Sequence, residues 1–228
     1  MAVPMSVTGK VIVALTVLVV TVGLCVFLPA WSLRYWQGWV FLVIFAIGFS
    51  LITVYFVRRD PALVERRLKV GPRAEGELRQ KIIQSFLSLL FFASIVFSAT
   101  DHRLGWSSIR PYMVFSGDGL WVASAVIMFF VLKQNSYASR VIEVREGQPV
   151  ISTGPYGIVR HPMYAGGLAG MAGVPLALGS LWGLLVCVPM SALIVRRMLD
   201  EEKYLTANLA GYAEYRVKTR WRLIPVVY

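Results

Sequence analysis

Cysteine and histidine are nearly missing from this chain. Cys25 and Cys187 lie inside apolar runs, and the two histidines, His102 and His161, stand far apart. That scarcity excludes a disulfide framework and leaves too few ligands for a clustered centre, so no metal site is expected. The two cysteines read as small buried hydrophobes. Acidic residues are also scarce, 12 against 23 Lys and Arg, for a net charge of +11. In a soluble protein this imbalance would point to nucleic acid. Here the basic residues cluster between apolar runs, the pattern of topology signals and of contact with anionic membrane lipids, and no nucleic-acid partner is expected. The chain has no internal repeat, no low-complexity tract and no G-x-G-x-x-G following a strand, which excludes a Rossmann-type nucleotide site.

What the chain has in abundance is hydrocarbon. It is 57% hydrophobic with a mean hydropathy of +0.65, where soluble domains are about 45–50% apolar. The fold class that follows is all-α: a polytopic integral membrane helical bundle. About six hydrophobic segments are expected, at 11–30, 36–57, 82–99, 112–132, 163–178 and 181–195. The first is long for a signal peptide and lacks a small-x-small cleavage pattern. The third is barely long enough to cross and is followed by a polar turn holding Asp101, His102 and Arg103. The last two are short, are separated by Gly179 and Ser180, and are expected to form a tight hairpin. The spans 11–57 and 112–132 are read as free of buried charge, which argues against an ion path and so against a channel or transporter. The stretch from Arg58 to Lys81 is expected to be a charged loop.

With six alternating crossings, 20 of the 23 basic residues fall on one side. The positive-inside bias then predicts a multi-pass protein with both termini, and a C-terminal helical tail, in the cytoplasm. The chain divides into N-terminal transmembrane helices, 1–132, on the lipid-substrate side, and a catalytic core, 133–228.

The core is organised around residues 154–166. Pro162 cannot donate a backbone hydrogen bond and belongs in the first turn of a helix. Arg160 and His161 then stand just outside that helix, beside its unpaired N–H groups, a place suited to an anionic group. The plainer alternative is that Arg160 is a charged flank on a membrane helix. Gly166, Gly170 and Gly173 allow close helix approach; a wall beside a flat ligand is the competing reading.

Further on, Asp200, Glu201 and Glu202 follow Arg196 and Arg197, spaced for i,i+4 pairs along a solvated helix. Adjacent Glu201 and Glu202 point about 100° apart on a helix, so one can face a pocket while the other pairs with an arginine. Gly211 is expected to end a helix, with a new one starting at the tyrosines after it. Arg220 and Arg222 flank Trp221, and in an extended stretch would share a face fit to hold a carboxylate or phosphate. Anchoring to lipid headgroups is the alternative.

Gly154-Pro155-Tyr156, then Arg160-His161-Pro162-Met163-Tyr164-Ala165-Gly166, then Glu201-Glu202, Gly211-Tyr212-Ala213-Glu214-Tyr215 and Arg222-Leu223-Ile224-Pro225 together resemble the isoprenylcysteine carboxyl methyltransferase family. The resemblance begins near Asn135; the residues before it match only as hydrophobic helices. Membrane phospholipid N-methyltransferases share the same core, and a looser Arg-His-Pro-x-Tyr element occurs in sterol reductases. The resemblance implies the cofactor S-adenosylmethionine, contacted by Tyr156, Arg160, His161, Tyr164, Glu201 or Glu202, and Asn135. It implies catalytic roles for Arg222, Glu202 and Arg220, with Arg222, joined by Arg220, orienting the acceptor. The implied acceptor is a lipophilic small molecule or prenylated compound, most simply the carboxylate of a prenylated cysteine. A phospholipid amine acceptor and an NADPH-dependent sterol-type reductase are the alternatives.

Overall fold

The computed structural model describes residues 6–68, 77–138 and 141–227. The middle of the expected basic loop, with Lys69 and Arg73, lies outside the described residues. Among those described there are eight α-helices and no strand: α1 (Val7–Ala30), α2 (Trp36–Arg59), α3 (Pro61–Leu68), α4 (Leu78–Leu104), α5 (Pro111–Gln134), α6 (Pro162–Ala177), α7 (Leu184–Asn208) and α8 (Tyr212–Lys218), with a 3₁₀ turn at Gly154–Gly157. Four of them, α1, α2, α4 and α5, are long and apolar enough to cross a membrane. Their outward side chains are hydrocarbon: Ile12, Val17, Leu28, Leu51 and Leu89 are each more than half exposed. Exposed apolar surface on that scale calls for lipid around it.

Several boundaries differ from the sequence reading, for one physical reason. Polar residues at span ends extend the helices instead of breaking them. α4 runs 27 residues because Arg79–Lys81 begin it and Asp101–Arg103 continue it, to a left-handed cap at Gly105. The expected charged loop contains α3, started by the Asp60 carboxylate, which accepts from the Leu63 N–H at 2.9 Å. α6 is only 16 residues, about 24 Å at 1.5 Å per residue. α7 carries its apolar first half straight into the polar sequence through Asn208.

The core is aromatic and tightly set. Trp121 of α5 stacks on Phe45 of α2, with ring centres 5.3 Å apart, and packs edge-on against Phe41. α5 and α6 approach through glycines. A Cβ on Gly117 would fall 2.2 Å from the Ala177 nitrogen, and one on Gly173 would fall 2.7 Å from the Gly117 oxygen. The small residues of α6 therefore serve helix packing, and the ligand-wall reading is not needed.

One reading of the spans is overturned. Asp118 sits inside α5, buried, and neither carboxylate oxygen has a hydrogen-bond partner among the described residues. The span 112–132 therefore does hold a buried acid, in the half of the helix away from Asn135.

At the end of the bundle where α4 meets α5 and α6 meets α7, the turns are tied by hydroxyls. Asp101 accepts from the Ser107 N–H at 2.7 Å, from the Ser107 hydroxyl at 2.6 Å and from the Ser180 hydroxyl. The Tyr35 hydroxyl donates to the Leu178 carbonyl, and its ring stacks on His102. The opposite end gathers α3, the start of α4, the end of α5, residues 141–161, the start of α6, the end of α7 and the tail.

Candidate active site

Pro162 opens α6 with His161 as its N-cap residue. The first-turn N–H groups of Met163 and Tyr164 lack intrahelical acceptors. The chain reaches this point through a sharp turn: Gly154 has φ +59°, a conformation that strains any residue with a side chain. The last segment is laid directly alongside. Arg160 N–H donates to the Trp221 carbonyl at 2.8 Å and His161 N–H to the Arg222 carbonyl at 2.9 Å. α8 is fixed to the same region, because the Tyr215 hydroxyl donates to the Tyr156 carbonyl at 2.7 Å. Gly211, at φ +81°, turns the chain between α7 and α8.

Glu202 is the hub of this end. Arg160 Nε donates to its Oε1 at 2.6 Å and Arg222 Nε to its Oε2 at 3.0 Å. The rest of the Arg160 guanidinium is held by the carbonyls of Thr219, at 3.0 Å, and Arg220, at 2.9 Å. Glu202 and Arg160 are only 4% and 8% exposed. Burial by itself pushes the Glu202 carboxyl up, but His161, Arg222 and Arg160 outweigh it and hold the group at about 2. His161 Nε2 lies 3.3 Å from Glu202 Oε1 without making a well-formed hydrogen bond.

The neighbouring carboxylate does something else. Glu201 accepts from the Tyr164 hydroxyl at 2.5 Å and faces a cavity. The structure thus divides the two glutamates between a pocket and an arginine pair. The cavity measures about 790 Å³ with its open mouth, and its walls include Asn135, Tyr156, Arg160, His161, Tyr164 and Glu201. Asn135 Nδ2 donates to the Tyr156 hydroxyl at 3.1 Å. Burial pushes the Tyr156 phenol up to about 12. Three expected residues do not line the cavity: Glu202 lies behind its wall, Arg222 is bonded to Glu202, and the Arg220 side chain is exposed.

Sequence reasoning missed some of the wall. Tyr212, Tyr215, Leu205, Val150 and Ile151 all face the cavity. The Tyr212 hydroxyl is buried, with no hydrogen-bond partner among the described residues. It also missed a brace from the first half of the chain. Buried Gln80 of α4 accepts from Arg197 at 3.0 Å and donates to Asp200 at 3.0 Å. A single glutamine at the polar start of a span carries no signal that it will do this.

With that geometry in place, the likeness to known proteins can be set against it. Residues 112–211 match the family model of phospholipid methyltransferases. The matched segment, under half of the chain, is similar to that family, which includes isoprenylcysteine carboxyl methyltransferase-like members. The chain is also 25% identical over 135 residues to the cobalt-zinc-cadmium resistance protein CzcN of Cupriavidus metallidurans. That alignment covers 53% of this chain and 62% of the relative, so the chain spans less than two thirds of the relative's length. The phospholipid methyltransferase match runs from the start of α5 to Gly211. It takes in the α5–α6 glycine contact, the Arg160–His161 turn and both glutamates, and it stops before Arg220 and Arg222. The segment is similar to that of membrane methyltransferases.

Proposed function

We propose that the protein is an S-adenosylmethionine-dependent methyltransferase acting on a lipophilic carboxylate, a prenylated cysteine or a similar compound. The observation that carries the proposal is the cavity itself. It joins Asn135, Tyr156, Arg160, His161, Tyr164 and Glu201 from three separate parts of the chain, against helices that face lipid. The donor set fits the cofactor. His161 Nε2 and the Tyr212 hydroxyl are buried polar atoms with no hydrogen-bond partner among the described residues. Glu201 offers an acceptor to an ammonium group, while Val150, Ile151 and Met163 give apolar wall to a flat ring.

S-adenosylmethionine would supply a sulfonium methyl group open to in-line displacement. The chain's own work is positioning and the exclusion of water. Arg160 and Arg222, bridged by Glu202, fix the last segment against the His161 turn and close the pocket on that side. Tyr164 orients the Glu201 carboxylate toward the cavity. A carboxylate acceptor with a pKa of about 4 arrives ionised, so no residue has to take a proton from it. The polar cofactor enters from the cytoplasmic side, where both termini are placed in this proposal, while residues 1–132 hold the lipid tail.

The family match favours a second reading, methyl transfer to a phospholipid amine. An ammonium must first lose a proton, and Glu201, one of two carboxylates lining the cavity, would accept it. A methyl-transfer assay in membranes, with labelled S-adenosylmethionine and three acceptors, separates the readings. Label in a base-labile ester of a prenylcysteine analogue is the expected result. Label in phosphatidylethanolamine moves the assignment to the amine, and label in the third acceptor, a fatty acid, replaces the prenyl group. No transfer to any acceptor, with reduction by NADPH of a sterol, would overturn the proposal.

A further inference from the structure

We propose that Gln80 of α4 is a positioning residue for the cavity: through Arg197 and Tyr164 it sets the Glu201 carboxylate toward the ammonium group of the cofactor. The inference rests on the methyl-transfer reading above and gives the N-terminal half of the chain a part in recognising the amino-acid end of the cofactor.

Gln80 lies in the first turn of α4 and is buried where α4 packs on α7. A primary amide offers an acceptor at one end and donors at the other. Gln80 uses both: its Oε1 accepts from Arg197 at 3.0 Å, and its Nε2 donates to Asp200 at 3.0 Å. Arg197 and Asp200 are three residues apart and share one face of α7. The two arms carry unequal weight. Asp200 also meets Arg79 at 3.5 Å and Arg196 at 3.6 Å, and both arginines are half-exposed. Arg197 is buried, and a buried guanidinium needs acceptors around it. The Gln80 carbonyl is one of them.

The same guanidinium reaches the cavity wall. Arg197 hydrogen-bonds the hydroxyl of Tyr164, and Tyr164 donates its one hydroxyl proton to Glu201 Oε2 at 2.5 Å. An arginine can only donate, so the phenol oxygen accepts from Arg197 while the phenol hydrogen is committed to the carboxylate. A cation donating to a hydroxyl makes that hydroxyl a better donor in turn. Tyr164 and Glu201 line the cavity, whereas Gln80 and Arg197 stand behind its wall. Glu201 follows Arg197 by four residues, so one turn of α7 carries both the anchor and the group it orients. A residue that only filled space between α4 and α7 would not need an amide with each end committed to an ion. Gln80 sets the place of the Arg197 guanidinium, and with it the place of the Tyr164 hydroxyl.

The test compares binding of S-adenosylhomocysteine with that of 5′-methylthioadenosine, which keeps the nucleoside and the thioether but has no amino-acid group. Both are titrated by calorimetry into the full chain in detergent micelles. The proteins are the wild type, Gln80→Met, Gln80→Glu, Glu201→Gln and the Gln80→Met/Glu201→Gln double variant, and each is also melted without ligand. Met keeps the volume of Gln but bonds neither ion; Glu keeps the acceptor for Arg197 and loses the donor to Asp200. Gln80→Met should weaken S-adenosylhomocysteine about three- to tenfold, the size of one lost hydrogen bond, and leave 5′-methylthioadenosine nearly unchanged. Gln80→Glu should recover most of the loss. In the Glu201→Gln background, Gln80→Met should cost S-adenosylhomocysteine no further affinity. Equal weakening of the two ligands marks a merely structural amide and overturns the inference, as does unchanged S-adenosylhomocysteine affinity. If the wild type binds neither nucleoside, yet the two substitutions shift melting non-additively, the relay stands and the cofactor reading falls. Additive melting shifts there would overturn the relay as well.

Discussion

Glu202 at the site end of the bundle and Asp101 at the opposite end are both buried, and different chemistry keeps them there. Glu202 sits among Arg160, Arg222 and His161, drawn from the segment before α6 and from the tail. Among the described residues Asp101 pairs with no arginine or lysine; it is held by the Ser107 N–H and by two serine hydroxyls. Neutral hydroxyls suffice where the chain only has to close turns between helices. Charged partners appear where distant segments must be drawn together around an open cavity. A buried ion pair is a weak source of net stability, but it is costly to break, and that fixes the geometry of what it joins.

The largest effect should come from removing the charge at the site end. Glu202→Gln leaves Arg160 and Arg222 partly buried without their counter-ion. It should cost about 3–5 kcal/mol, read in thermal melts, and should abolish S-adenosylhomocysteine binding by freeing the tail. The equivalent change at the other end is milder. Asp101→Asn keeps an acceptor for the serines and should cost about 1–2 kcal/mol, with ligand affinity unchanged. Equal ligand loss in both variants would erase the distinction between the two ends.

Acid should sharpen the contrast. The Glu202 carboxyl is lowered from 4.5 to about 2 in the folded chain. Its stabilising contribution is then complete above about 4.5 and fades as pH falls toward about 2. Melting temperature should drop over that window in the wild type, and the Glu202→Gln variant should lose this part of the drop. The smallest structural effect belongs to Tyr212→Phe. It removes a hydroxyl that has no partner among the described residues, so stability should hold within about 0.5 kcal/mol. S-adenosylhomocysteine affinity should still fall severalfold, as measured by calorimetry.

The sequence made the site more legible than the bundle's details. Pro162 marked the start of α6 because its ring dictates where it can sit, and Gly211 marked the α7–α8 turn because its φ is open to few other residues. The 100° offset of adjacent helical residues was enough to separate the surroundings of Glu201 from those of Glu202. Arg220 and Arg222 looked like a matched pair because alternation is all an extended segment reveals. Which of them meets a buried acid depends on how the tail lies against residues 160–161, and that is a long-range contact. Gln80, Asp101 and α3 were unreadable for a related cause. A polar residue at the edge of an apolar run looks like a boundary whether it faces water or a partner on another helix. Asp118 was passed over because hydropathy averaged along a span conceals a single acid.

The most direct test of the central claim is photo-crosslinking of an azido analogue of S-adenosylmethionine to the intact protein, with the labelled peptides mapped. Labelling confined to the peptides around Asn135–Tyr164 and Glu201–Tyr215, and competed away by S-adenosylhomocysteine, is the predicted result. Labelling that falls elsewhere, or that S-adenosylhomocysteine does not displace, would contradict the account.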